Sequence, residues 1–270
     1  MTIKMIPLVM PSKAELRQCS LEWYDRIGPT LLDQLPPDVL ALSMPTKFIQ
    51  FPLEIIGSLY DRKPWPSPVV DALADELDAA LGWDRHFIRL NSRSPKDAPW
   101  PFEVSATCSG KEAISILSAS ERALDDLACF SHIPERPAFI CLREFMPAMQ
   151  IEDEYRCFVK DGELIAVSRY DYMTPRSAPA DGGRAIRDRI DKWFREHLAP
   201  RLHIQTVVFD LFLPHDYSSF QRRTNDPLLI ELNPYGLSDP CCLGSYEAVE
   251  NFTGAVAFSS PQDDDWINAK

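Results

Sequence analysis

Two carboxylates and one amide stand out because their neighbours are apolar. Asp210 interrupts the run 206–213, Glu231 interrupts 227–233, and Asn233 follows two residues later. In a strand, residues i and i+2 project from one face, so Glu231 and Asn233 point together. If the two runs are antiparallel neighbours, Asp210 joins them. Three hard oxygen donors of the type that suits Mg²⁺ then share a face. An ionised acid on a covered face costs several kcal/mol unless it is paired or metal-bound. The plain alternative is that both strands have a solvated face on which the acids sit. A second signal is cationic. Arg89, Arg143, Arg156 and Arg169 fall in predicted strands, and Arg89 is followed by a polar loop holding Ser92, Ser94 and Lys96. A guanidinium in a strand interior can turn into a polar cleft and grip phosphate bidentately, or it can form salt bridges on an exposed face. Cations for phosphate beside acids for Mg²⁺ are the two halves of a nucleotide site.

The elements that must position these residues follow from local pattern. To about residue 83 the chain reads as mainly helical. Ser12 with Glu15 forms a capping box, and Gly28 is a stop after Ile27. Ser67 and Pro68 open a helix over 69–81, with Val70, Leu73, Leu77 and Leu81 at helical spacing, Ser67 as its cap and Gly82 after it. Residues 87–90 read as a strand and 91–101 as a polar loop. Ser109 and Glu112 box the next helix, the Ser118–Glu121 stretch caps another, and 139–145 is a strand. The clearest hairpin is 154–160 and 163–170, because Asp161 and Gly162 supply the positive φ angles of a type I′ turn. An amphipathic helix spans about 185–198, with Ile186, Ile190, Trp193, Phe194 and Leu198 on its apolar side. The strands 206–213 and 227–233 follow, separated by a loop over 214–226. Ser245 to Glu247 could be only a cap, and the acidic run 263–265 reads as a solvated tail. Runs of strands with helices beside them predict an α+β fold with antiparallel sheets.

Composition narrows the function. The 270 residues carry 28 Lys plus Arg against 40 Asp plus Glu, a formal charge of −12, which argues against extensive non-specific nucleic-acid binding. With 45% apolar and 25% charged residues, the chain can bury a large core, in one elaborated domain or two smaller lobes. Only 10 glycines are present against 24 prolines, and neither GxGxxG nor GxxxxGK[ST] occurs, so Rossmann and P-loop readings lack support. No stretch has the length of a membrane span or the form of a secretory signal. The seven cysteines form no CxxC, which predicts reduced, mostly buried thiols in a cytoplasmic protein. The five histidines have no ligand spacing, and a nucleotide-free metal hydrolase would need more of them.

Six segments in order carry a resemblance: Phe87 to Ala98, Leu142 to Phe145, Glu154 to Val159, Val167 to Asp171, Val208 to Leu211 and Leu229 to Tyr235. Together they resemble the cell division cycle protein 123 family over about residues 85–250. The resemblance implies an ATP-grasp fold, two α+β lobes whose antiparallel sheets sandwich a nucleotide, with ATP and Mg²⁺ as ligands. The N-terminal 80 residues match the family only loosely; the expected division is 1–84 as a mainly helical region packed on the first lobe, 85–140 as the first lobe and 141–270 as the second, with the Mg²⁺ site. Asp210, Glu231 and Asn233 fall where the family holds Mg²⁺, with Glu231 where eukaryotic members have Asp. Arg89 replaces a phosphate-facing Lys, Lys96 replaces an Arg, and Ser92 replaces a Trp in the loop that also holds Ser94. Arg143, Phe145 and Met146 match a linker that contacts adenine. Glu154 matches a carboxylate placed to accept hydrogen bonds from ribose hydroxyls. The stretch Ser168 to Asp171 departs from the family's Ser-Gln-Arg-Asp, which bears on Arg169; Arg156 completes the set of cofactor-binding cations.

Two functional classes divide at this point. A chaperone-like factor would use bound ATP to fix its shape while gripping a translation-factor-like protein partner, as eukaryotic relatives help assemble initiation factor 2. A stand-alone ligase or phosphotransferase would activate an unidentified second substrate: a carboxylate, a peptide or an RNA end.

Overall fold

The computed structural model describes residues 11–60, 65–99, 105–147, 149–174, 177–214 and 227–258. In chain order the elements are α1 (Lys13–Ile27), α2 (Pro37–Leu40), β1 (Thr46–Gln50), α3 (Leu53–Tyr60), α4 (Ser67–Leu81), β2 (His86–Leu90), β3 (Ala106–Thr107), α5 (Gly110–Ser118) and α6 (Glu121–Ser131). Then come β4 (Phe139–Glu144), β5 (Glu154–Lys160), β6 (Glu163–Arg169), α7 (Arg184–Trp193), β7 (Val207–Phe212), β8 (Leu228–Asn233) and α8 (Tyr246–Glu250). The acidic run 263–265 and most of the 214–226 loop lie outside the described residues.

Local side-chain chemistry sets most helix ends. The Ser12 N–H donates to Glu15 Oε2 (2.7 Å) and the Glu15 N–H donates back to Ser12 Oγ (3.3 Å), the expected box at the head of α1. Ser109, Ser120 and Ser245 each accept a backbone N–H at the start of α5, α6 and α8. At α5 the second arm of the box is relayed: the Glu112 carboxylate takes the Thr107 hydroxyl, and Thr107 Oγ1 accepts the Ser109 N–H at 3.0 Å. Ser67 does not cap α4. It is the first helical residue, behind Pro66, and its hydroxyl faces Asp71 at 3.5 Å. Pro68 presets the φ of the first turn and has no N–H to satisfy, so no side-chain acceptor is needed there. The region read as helical also holds a strand, β1, whose extended backbone lies between Pro45 and Pro52.

The chain divides into two units, one of Met1–Arg26 with Lys47–Leu142, the other of Ile27–Thr46 with Arg143–Lys270. The first contains most of a four-stranded sheet in the order β1-β4-β2-β3. Its helices pack closely: Gly110 lies so near α4 that a Cβ there would stand 2.1 Å from the Ala74 carbonyl oxygen. Phe130 of α6 meets Trp23 of α1 edge to face at 5.2 Å.

The second unit is built on a sheet in the order β6-β5-β7-β8, with each neighbouring pair antiparallel. The α+β class with antiparallel sheets therefore holds. Asp161 (φ 53°) and Gly162 (φ 82°) make the β5–β6 turn as expected. One face of the sheet is covered by the helical stretch 184–198, where Phe194 stacks on Phe209 at 5.6 Å. On the other, Phe158, Ala166 and Val208 pack against Cys242, Leu243, Val249 and Ala257. With both faces covered, every residue of β7 is buried, which accounts for its nearly unbroken apolar run. Among the described residues no helix is long and apolar enough to cross a membrane.

Candidate functional site

The register of the second sheet sets Arg156, Asp210 and Glu231 side by side on β5, β7 and β8. Directly opposed residues of an antiparallel sheet share a face, so these three side chains form one row. Asn233, two residues beyond Glu231, projects from the same face and its amide donates to Asp210 Oδ2 at 3.1 Å. A bulge between Asp210 and Leu211 makes Ile230 the extra residue of β8, immediately beside the row. Asp210 is 1% exposed and Glu231 8%, so the solvated-face alternative does not apply to either acid.

Arg156 grips Asp210 with both tines of its fork: Nε to Oδ1 at 2.8 Å and Nη2 to Oδ2 at 2.7 Å. Its Nη1 donates to the Asp239 carbonyl at 2.9 Å, and its guanidinium lies 4.9 Å from the centre of the Tyr170 ring. Burial works against the arginine charge, but the Asp210 carboxylate more than offsets it and holds the guanidinium well above its usual range. The segment 239–242 meets the row at Arg156. The Asp239 carboxylate accepts the Tyr172 hydroxyl (2.8 Å) and the Cys241 N–H (2.8 Å), and the Cys242 N–H donates to Ser168 Oγ (3.0 Å). Cys241 holds a φ of 54°, unusual for a non-glycine residue. Burial pushes its thiol up to about 12, against the pull of the Arg156 charge and with a further push from Asp210 and Asp239. Such a thiol is inert as a nucleophile.

The remaining predicted residues divide by place. Glu154, two residues before Arg156, belongs to the row's face and is half-buried. Arg143 is buried at the end of β4, and its Nη2 donates to Ser43 Oγ at 2.5 Å. Phe145 and Met146 follow β4, both half-buried. Arg169 is not brought to the row. Its neighbour Ser168 opposes Arg156, while Arg169 opposes Tyr155 and lies on the other face, with Nη1 donating to the Thr174 carbonyl at 3.2 Å. In the first unit, Arg89 is buried in β2 with Nε donating to the Leu90 carbonyl at 3.0 Å. In the loop after it Ser92 is half-buried beside Asp126, Ser94 is buried and Lys96 is exposed. The seven thiols are free, four of them buried, with Cys19 and Cys108 exposed.

Sequence reading missed the groups that orient the row and the loop: Asp239 and Tyr170 around Arg156, and Arg93, Asp97 and Asp126 around the loop. Asp126 had a local signal. It occupies the buried side of α6 with Ala123, Leu127 and Phe130, where an acid needs a partner. Asp239 had none, because its contact with Arg156 spans 83 residues.

Among the described residues no group of three or more His, Cys, Asp or Glu is gathered for a metal; the row instead offers two carboxylates and one amide. Arg156 takes one direction of each Asp210 oxygen, and the Asn233 amide takes a second direction of Oδ2. The Asp210 and Glu231 carboxylates and the Asn233 amide oxygen form an all-oxygen set of the kind that fits a hard cation such as Mg²⁺.

The D123 family model matches residues 69–256. Cell division cycle protein 123 of Candida glabrata is 30% identical over 168 residues, covering 54% of this chain and 45% of that protein. The translation initiation factor eIF2 assembly protein of Dictyostelium discoideum is 30% identical over 156 residues, covering 55% of this chain and 38% of its own length. The chain thus spans less than half the length of these curated relatives. The solved structure of Cdc123 from Schizosaccharomyces pombe superposes with a TM-score of 0.63 at 19% identity, over 84% of this chain and 92% of that one. The fold is shared with that structure, and with the model matching well over half of the residues, the chain belongs to the D123 family, that of cell division cycle protein 123.

Proposed function

We propose that the protein binds ATP with Mg²⁺ on an ATP-grasp framework and acts as a nucleotide-dependent assembly factor for a translation-factor-like partner. The observation that carries the ligand half is the in-register row of Arg156, Asp210 and Glu231 with Asn233 on the same buried face. Asp210, Glu231 and Asn233 would hold the metal, which supplies charge neutralisation for the phosphates when bound. Arg156 holds Asp210 in one orientation, and its role is to aim that carboxylate. Glu154, on the same face, is assigned to ribose hydroxyls, and Arg143, Phe145 and Met146 to the base. Arg89, Ser92, Ser94 and Lys96 are assigned to phosphate. The partner half rests on relatives that are named as eIF2 assembly proteins.

Calorimetry tests the reading. The protein is expected to bind ATP in the presence of Mg²⁺ and to lose most of that affinity with EDTA. Glu231→Gln keeps the shape of the side chain but removes its charge, and is expected to remove the Mg²⁺ dependence. Undiminished, Mg²⁺-dependent binding by this variant would end the metal assignment. For the second half, retention of purified eIF2 subunits by the protein should rise with ATP·Mg²⁺; retention indifferent to nucleotide would sink the assembly role.

A further inference from the structure

The loop after β2 is strapped to α6 at two points. Arg93 grips Asp126 fork to fork, Nε to Oδ2 and Nη2 to Oδ1, both at 2.7 Å. The Asp126 side chain is 2% exposed and that of Arg93 36%. Four residues on, the Asp97 carboxylate accepts the Ser120 hydroxyl (2.5 Å) and the Arg122 N–H (3.0 Å), while Ser120 Oγ accepts the Ala123 N–H (3.1 Å). The base of the loop is closed by the Leu90 N–H on the Arg93 carbonyl (3.0 Å). Asn91 ties it to β4 through two bonds with Phe139, at 2.9 and 3.2 Å. The frame is firm, since Leu127 and Phe130 bury the inner side of α6.

This ion pair joins a buried carboxylate to a partly exposed guanidinium. Desolvating Asp126 costs free energy, and solvent screens the charge of Arg93, so little net stability comes from the attraction itself. What the fork supplies is direction: a guanidinium held by two parallel bonds to a buried carboxylate has one orientation. The segment between the straps is 94–96, and the strapped loop carries Ser92, Ser94 and Lys96. We propose that Asp126 is a positioning residue which, through Arg93, holds this loop in the geometry that receives the nucleotide's phosphates. The inference rests on the ATP-binding reading above and adds a residue outside every segment that suggested it.

The test uses the full chain with three variants: Asp126→Asn, Arg93→Lys, and the reversed pair Arg93→Asp with Asp126→Arg. Hydrogen exchange without nucleotide reads the loop, and calorimetry reads ATP·Mg²⁺ and adenosine separately. In Asp126→Asn, exchange is expected to accelerate at amides 91–98 and not in the α6 core. Affinity for ATP·Mg²⁺ should fall roughly tenfold, the scale of one lost charge-assisted hydrogen bond, with adenosine unchanged. Arg93→Lys keeps the charge without the fork and should lose part of that affinity, whereas a role for charge alone predicts full retention. The reversed pair should recover protection at 91–98 relative to Asp126→Asn. Unchanged exchange and ATP affinity, or equal losses for ATP and adenosine, would overturn the proposal. Should Asp126→Asn fail to fold, Arg93→Lys alters only the half-exposed partner and decides between these outcomes. If the unaltered protein binds no ATP, the functional reading falls and takes this inference with it. If it binds and the variants bind equally well, only this inference falls.

Discussion

Asp210 serves two neighbours, and their demands differ. As half of a buried pair it holds Arg156; as one donor in the row it faces Glu231. Asp210→Ala should therefore cost stability as well as ligand. It strands a buried guanidinium, a loss of about 3–5 kcal/mol measurable by urea unfolding. Replacing both partners, Asp210→Leu with Arg156→Met, should regain most of that stability and none of the Mg²⁺-dependent binding. The straps in the first unit titrate in opposite senses. Burial raises the Asp97 carboxyl, but the Ser120 hydroxyl and the Arg122 N–H outweigh it and leave it below its usual 3.8. Its contribution is present above that pH and is lost as the pH falls through the folded-state value. Burial pushes Asp126 up against the pull of Arg93. The folded state then holds that proton more tightly than the unfolded chain, so this carboxyl's contribution rises as the pH falls and is lost as the pH climbs through the raised value. Removing it with Asp126→Asn should steepen the loss of thermal midpoint on acidification.

At the scale of elements, two glycines differ in what surrounds them. Gly162 closes the β5–β6 hairpin at φ 82°, and a Cβ there would meet the end of the Gln205 side chain at 2.8 Å. The neighbour can swing away, so Gly162→Ala should cost about 1 kcal/mol, mainly backbone strain. A Cβ at Gly110 would meet Ala74 backbone at 2.1 and 2.9 Å, and backbone cannot give. Gly110→Ala must push α4 and α5 apart, at about 1–3 kcal/mol. Denaturant midpoints should rank the two in that order. The hairpin was legible from Asp161 and Gly162 because a tight turn is decided by the residues inside it. The α4–α5 approach was not legible, because nothing near Gly110 in the chain mentions Ala74.

At the scale of the molecule, connectivity matters. Residues 27–46 belong to the second unit although they precede most of the first. Ser43 Oγ donates to the Leu229 carbonyl (2.6 Å), the Leu229 N–H donates to the Leu42 carbonyl (3.0 Å), and Leu31, Leu32 and Val39 are buried. A chain of 143–270 alone should therefore lack the near-ultraviolet circular dichroism of a packed core, and the full chain should show it. The charge of −12 makes self-repulsion a standing term. Raising ionic strength from about 0.01 to 0.15 M shortens the screening length from about 30 to 8 Å, and the melting temperature should rise accordingly.

Residue order alone determined the caps of α1, α5, α6 and α8, the I′ hairpin, the strands that carry Asp210 and Glu231, and the sharing of one face by Glu231 and Asn233. All of these depend on groups within a few positions of each other, where covalent geometry leaves few choices. Tertiary structure decided which polar groups meet. Arg156 finds Asp210 across 54 residues, Arg169 is turned to the opposite face by its register with Tyr155, and Arg93 finds Asp126 across 33. A one-residue slip in pairing would exchange the two faces of a strand, and only the burial of both faces against helices and the 239–257 segment selects the register that forms the row.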